Sequence, residues 1–161
     1  MQFKAEYSII AQKEKAVKTN TAKTERDANN MSMIEQAREQ LVKNPYGMIT
    51  GMEFEELERD HCRGSLELKE QVSNIYGTMH GGALFTLADM CMGAAARSDG
   101  NRYVTQNASV NYIRGVFKGT AHCEANVLHR GKTMCVVEGR ITDDDGNLCL
   151  SATFSFFCLG K

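Results

Sequence analysis

The hydrophobic pattern divides the chain into an unpatterned start, a helix and hairpin, a long apolar run, and a train of alternating segments. Residues 1–30 carry no apolar period and read as a solvated extension, with one short helix expected over residues 7–17. Patterned sequence begins at Met31 or Met33, either of which is the expected natural start. Met33, Ile34, Ala37 and Leu41 share one helical face, with Ser32 at the N-cap, Glu35 three residues on, and Asn44-Pro45 as the expected end. Residues 47–70 read as a β-hairpin. Met52 and Phe54 alternate with charged residues, and Leu66 and Leu68 do so beyond a turn region at residues 60–64.

Residues 74–96 read NIYGTMHGGALFTLADMCMGAAA. Counted from Gly82, a helix here is apolar or small on every face, and such a helix belongs inside the protein. Roughly 15 residues at about 1.5 Å each span most of a small domain. One carboxylate, Asp89, interrupts it. A lone Asp in such a helix is costly unless it is paired, hydrogen-bonded or put to use. That conflict points to function more strongly than any other feature.

After a polar loop at residues 97–101, the pattern changes to strands. In residues 103–115, Val104, Ala108, Val110 and Tyr112 alternate against Thr105, Asn107, Ser109 and Asn111. Residues 119–131 and 132–142 make two more strands about a tight turn at Arg130 and Gly131. DDDGN signals a hairpin turn rather than a calcium loop, and NLCLSATFSFFCL makes the last strand. Strands segregated from a single long helix predict an α+β fold, an antiparallel sheet wrapped around one central helix.

Composition narrows the classes. A chain of 161 residues suits one domain with a full core, and 42% apolar with 24% charged residues is ordinary for a globular protein. The net charge of −1, split as +2 in residues 1–30 and −3 beyond, gives no pull toward nucleic acid or an acidic membrane surface. Thr86 and Asp89 cut the most apolar run below spanning length, and the N-terminus has no secretory h-region, so a cytoplasmic protein is expected. The six cysteines form no CxxC pair and sit among apolar neighbours, which predicts reduced, buried thiols and no metal site.

The combination NxxGxxHGGxxxxLxD, then a VT strand, HRGK and the DDDGN hairpin, resembles the hotdog-fold acyl-CoA thioesterases of the phenylacetate-pathway (PaaI-like) type, over about residues 45–158. The resemblance implies a hotdog domain over residues 31–161, and a dimer or dimer of dimers with active sites between protomers. It implies hydrolysis of acyl-CoA thioesters, including aryl-acyl or phenylacetyl-CoA-like ones, with coenzyme A as part of the substrate and no further cofactor. Position by position, Asn74 matches the loop amide that orients the thioester or water. His80 and Gly81 match the turn whose Gly81 N–H polarises the carbonyl, and Gly82 the small residue needed for close approach. Asp89 matches the base or nucleophile contributed by the opposite protomer, and Thr105 a hydroxyl beside the site. RGVFKG at residues 114–119 departs from the family by replacing a common proline.

The chemistry fits those residue types. Thioester hydrolysis moves negative charge onto the carbonyl oxygen, where free N–H groups at a helix N-terminus supply donors and a favourable dipole. Glycine lets substrate approach that backbone. Asp89 would activate water, and thiolate leaves without a strong general acid. His80 more readily holds its loop than transfers a proton. Arg114, Arg130 and Lys132, near strand ends, are candidate cations for coenzyme A phosphates. Met79, Phe85, Met90 and Met92 are candidates for an acyl pocket. A hotdog dehydratase would use a proline-rich active loop, whereas Pro45 is the only proline; a non-catalytic acyl-CoA binding module would have no need of Asp89. Gly81 and Asp89 lie eight residues, roughly 12 Å, apart along one helix. One protomer therefore cannot aim both at one thioester, and a monomer is expected to be inactive.

Overall fold

A computed structural model describes residues 31–161; the extension over residues 1–30 and its expected helix lie outside the described residues. Six antiparallel strands form one sheet: β1 (Glu53–Glu58), β2 (His61–Glu67), β3 (Arg102–Tyr112), β4 (Thr120–Arg130), β5 (Met134–Thr142) and β6 (Leu148–Gly160). They lie side by side in the order β1-β2-β4-β5-β6-β3. The sequence turns explain the hairpins: Asp143 N–H donates to Asn147 O and Gly146 N–H to Asp143 O across the DDDGN turn. The turn between β4 and β5 falls at residues 131–133, where Gly131 N–H donates to Met134 O.

Three helices accompany the sheet: α1 (Met33–Val42), α2 (Pro45–Thr50) and α3 (Gly81–Arg97). Asn44-Pro45 does more than end α1. The Asn44 side chain accepts hydrogen bonds from Tyr46 N and Gly47 N, Pro45 occupies the first helical turn, and Gly51 closes α2 in the left-handed conformation. The hairpin expected from residue 47 therefore begins only at Glu53. Its turn is tighter than expected, lying at Arg59 and Asp60, and Gly64 sits inside β2. Asp60 holds φ 66° because outside partners fix it. Its N–H donates to Ser98 Oγ, its carbonyl accepts from Val127 N, and its carboxylate accepts from Arg130.

The long helix is where expected, and the sheet wraps it as a hotdog fold does. Leu87, Ala88, Cys91, Met92, Ala95 and Ala96 are fully buried against the strands. Two strand glycines make that approach possible. A side chain at Gly64 would begin 2.7 Å from Cys91 Sγ and 2.8 Å from Glu53 O, and one at Gly139 would begin 2.6 Å from Met92 Sδ. Five cysteines are buried and unpaired, with Cys158 half-buried. Hydrogen bonding to Cys123 and Cys62, together with burial, pushes the Cys91 thiol up, so this thiol packs as a small protonated hydrophobe. No described helix is long and apolar enough to cross a membrane.

One buried polar network ties the far end of α3 to the sheet. Arg130, with 14% of its side chain exposed, donates to Asp60 Oδ1 at 2.6 and 2.9 Å and lies 3.0 Å from Asp99 Oδ2. It also donates to the Ala95 and Ala96 carbonyls in the last turn of the helix, and to Tyr103 Oη. Burial and the hydrogen bond to Asp99 push Tyr103 up to about 12. Replacing Arg130 would leave the Asp99 carboxylate and two carbonyls without their cation, and Asp60 with Arg59 alone, 3.3 Å away. Arg130→Met is expected to lose about 3–5 kcal/mol of stability in denaturant titration, against about 0.5 kcal/mol or less for Lys132→Met on the exposed turn.

Candidate active site

Helix α3 is not buried all round. Gly82 and Phe85 are exposed and Asp89 is half-buried, so one stripe of the helix stays open. The expectation of a fully enclosed helix fails along this stripe, because a sheet can cover only part of a cylinder. Asp89 is the polar residue on the uncovered part, which resolves the apparent conflict.

The start of α3 is built from the loop before it. Asn74 Oδ1 accepts from Tyr76 N at 2.9 Å and Thr78 N at 3.2 Å, while Asn74 Nδ2 donates to Thr78 Oγ1 at 2.8 Å. The carboxamide thus closes its own loop. Ser73 bridges Met79 behind it. Met79 N–H then donates to Val116 O and His80 N–H to Val72 O, which fixes the direction in which the helix begins.

His80 is the N-cap. Its Nδ1 accepts from Gly82 N at 2.9 Å, which puts the ring proton on Nε2. Its carbonyl accepts from Ala83 N and Leu84 N. Of the four donors in the first turn, the Gly81 N–H alone has no partner among the described residues. A side chain on Gly82 would begin 3.2 Å from His80 Nδ1, so Gly82 protects the cap geometry. Tyr112 adds a contact that strand patterning does not reveal. Its hydroxyl donates to Gly81 O at 3.2 Å, and its ring lies 3.4 Å from where a Gly81 side chain would begin. The pattern marks Tyr112 only as an apolar strand position.

Two turns along, Thr105 Oγ1 donates to Asp89 Oδ1 at 2.8 Å. Simple alternation puts Thr105 on the face opposite Ala108, Val110 and Tyr112; the structure puts all four on one face. The pairing shifts between Thr105 and Asn107, so Gln106 is an extra residue that inverts the parity of β3. Thr105 stands opposite Phe156, Ala108 opposite Phe154 and Val110 opposite Ala152, all buried partners on β6. The bulge aims the hydroxyl at Asp89.

The expected cations do not gather. Every nitrogen of the Arg130 guanidinium donates to protein oxygens at the C-terminal end of α3, away from Gly81. Arg114 follows β3, where its N–H donates to Cys149 O near the start of β6. Lys132 lies on the exposed turn beside Thr133, whose carbonyl accepts from Cys158 N near the end of that strand. Nine residues of β6 separate these two places, roughly 30 Å. Within one chain, the structure therefore assembles Asn74, His80, Gly81, Gly82 and Tyr112 at one point and Asp89 with Thr105 at another. No group of three or more potential metal ligands occurs among the described residues.

Comparison with known proteins gives this arrangement a context. Residues 76–150 match the model of the thioesterase superfamily. A conserved protein of Pseudomonas aeruginosa is 35% identical and superposes with a TM-score of 0.72, covering 76% of this chain and 99% of that one. A hypothetical thioesterase from Streptococcus pneumoniae, solved with coenzyme A, is 31% identical with a TM-score of 0.66, covering 69% of this chain and 90% of that one. A Streptococcus mutans protein bound to acetyl-CoA has the same identity, TM-score and coverage. The chain belongs to the thioesterase superfamily and is a thioester hydrolase of the hotdog fold.

Proposed function

We propose that the protein hydrolyses acyl-CoA thioesters at a site shared between two copies of the chain. The observation that carries this reading is the single free donor at Gly81, held on the same rigid helix as the Thr105-anchored Asp89 but roughly 12 Å away by helix rise. The coenzyme A and acetyl-CoA carried by the two streptococcal relatives support the coenzyme A half of the substrate. Aryl-acyl and phenylacetyl-CoA-like thioesters fall within the same reading.

In this mechanism the thioester carbonyl oxygen accepts a hydrogen bond from the Gly81 N–H at the positive end of α3. Asp89 of the partner subunit takes a proton from water, which attacks the carbonyl carbon. The tetrahedral intermediate then collapses, breaking the C–S bond and releasing coenzyme A as thiolate. Thr105 holds one carboxylate oxygen and leaves the other to accept the water proton. Asn74 and His80 act through position, one by closing the loop and the other by occupying the Gly82 N–H so that Gly81 alone is offered to substrate. Arg114 and Lys132 stand as candidates for the coenzyme A phosphates only across two protomers, since one chain holds them far apart. Arg130 acts in the fold rather than on substrate.

Two single variants and their mixture test the reading. Asp89→Asn is expected to lower kcat by at least about 100-fold with unchanged unfolding behaviour. Gly81→Pro removes the free N–H at a helix position that tolerates proline, and the extended His80 backbone before it is compatible; a loss of about 100- to 1000-fold in kcat is expected. When the two inactive variants are unfolded together and refolded at equal amounts, half the dimers carry one intact site, so about a quarter of wild-type activity should return. Full activity in Asp89→Asn, or a mixture as inactive as its components, would overturn the shared site.

A further inference from the structure

Gly81 and Gly82 open α3, and a glycine pair is a poor start for a helix that has to hold a donor still. Glycine loses more backbone freedom than any other residue on entering a helix, and helix ends fray. A frayed first turn would swing the Gly81 N–H off a carbonyl oxygen. Such a donor stabilises developing charge only when its aim is set beforehand. The bare backbone that admits substrate is therefore short of stiffness, which has to come from outside the turn.

Two tyrosines from different elements supply it. From β3, Tyr112 lays its ring against Gly81 and donates its hydroxyl to Gly81 O at 3.2 Å. The Gly82 N–H is held by His80 Nδ1 at 2.9 Å, so the peptide between the two glycines is gripped at its oxygen and at its nitrogen. The next carbonyl is reached from α2. Thr86 Oγ1 donates to Gly82 O at 2.9 Å, which uses the only proton of the threonine hydroxyl. The 3.0 Å contact between Tyr46 Oη and Thr86 Oγ1 therefore has the tyrosine as donor. Gly47 lets α2 come this close, since a side chain there would begin 3.0 Å from Met90 Cε on α3. A helix carbonyl has two lone pairs and the ladder uses one, so both side-chain bonds add to the helix rather than compete with it.

Burial does not explain either tyrosine. Tyr46 is 61% exposed and Tyr112 56%, yet each turns its hydroxyl onto the helix. Two exposed phenols that could bond to water converge instead on consecutive carbonyls of one turn.

We infer that Tyr46 and Tyr112 are positioning residues for hydrolysis, together holding the Gly81–Gly82 turn so that the Gly81 N–H keeps a fixed aim at the thioester oxygen. The inference rests on the reading of Gly81 as the carbonyl-polarising donor. Each hydroxyl acts through a backbone carbonyl and takes no part in proton transfer. Tyr112 holds the Gly81 carbonyl directly. Tyr46 acts one residue further on and through Thr86, so its effect is the smaller.

Phenylalanine replacements keep each ring and delete only the hydroxyl. Tyr112→Phe is expected to lower kcat about three- to tenfold with KM within about twofold of wild type, as for an interaction expressed only in the transition state. Tyr46→Phe is expected to lower kcat about two- to threefold, and the double variant by at least the product, since both hydroxyls stiffen one turn. In Gly81→Pro, where the donor is already gone, adding Tyr112→Phe should cost no further activity. Backbone 15N order parameters at Gly81 and Gly82 should fall from about 0.85 toward about 0.6 in the double variant, with the oligomeric state unchanged. Wild-type kcat in the double variant would overturn the inference, as would a rise in KM alone. So would a Tyr112→Phe loss of equal size in the Gly81→Pro background, or a loss that follows dissociation into monomers. Full activity in Gly81→Pro would instead remove the reading on which the inference rests.

Discussion

A sheet that wraps a helix buries most of the cylinder but must leave one line of it open, and the chemistry of this molecule sits on that line. Close contact on the covered side depends on Gly64 and Gly139, which make room for Cys91 and Met92, and on the small residues Ala88, Ala95 and Ala96. Six strands packed this tightly hold α3 as a rigid rod. Gly82, Phe85 and Asp89 are then fixed on the uncovered stripe without any further device. An acidic side chain that would be costly in a core is here half-exposed and tied by a single hydroxyl. The same rigidity sets the limit that shapes the proposed mechanism, because the distance between the first turn and Asp89 cannot shrink.

The two ends of the rod are treated in opposite ways, and the helix dipole accounts for the difference. At the C-terminus, Arg130 satisfies the Ala95 and Ala96 carbonyls and brings positive charge to the negative end of the dipole. Those contacts tie that end to the sheet. At the N-terminus the cap is a neutral imidazole nitrogen rather than a carboxylate, so no fixed negative charge sits there. The positive end of the dipole stays available, with one N–H open. An Asp at position 80 would cap the helix as well as His80 but would place a charge beside the developing oxyanion.

Much of this was legible in the residues, and what was missed has identifiable physical causes. The long helix, the DDDGN hairpin and the strand train follow from period and turn chemistry, which are local. The HGG turn and Asp89 could be read from spacing on one helix. Helix α2 was hidden because Asn44-Pro45 serves equally as a stop signal and as a cap with Pro in the first turn. The parity of β3 was hidden because a bulge at Gln106 has no signature in residue type, and with it went the contact between Thr105 and Asp89. Arg130 was misjudged for a different reason. A cation beside a turn looks solvated in sequence, and only the fold brings Asp60, Asp99 and the end of α3 around it. The open stripe of α3 was invisible for the same reason, since apolarity reports what can be buried and not what is left uncovered.

The two edges of the sheet differ in how open they are to pairing with a further strand. At one edge, β1 reads EFEELE, and Glu53, Glu55 and Glu58 are exposed along it. Such a charged strand resists pairing with a copy of itself. At the other edge, β3 runs for 11 residues with no acidic residue and only Arg102 as a basic one, and Val104 and Tyr112 are exposed on it. Long, uncharged edges of that kind are normally blunted in proteins that stay monomeric. The bulge at Gln106 does not blunt this one, because strand pairing resumes at once and its effect is to turn Thr105 inward. The undefended edge is therefore the strand that also carries Thr105 and Tyr112, one contact from Asp89 and one from Gly81. A second copy pairing there would reach both halves of the proposed site through the same strand, so assembly and catalysis would depend on one set of residues.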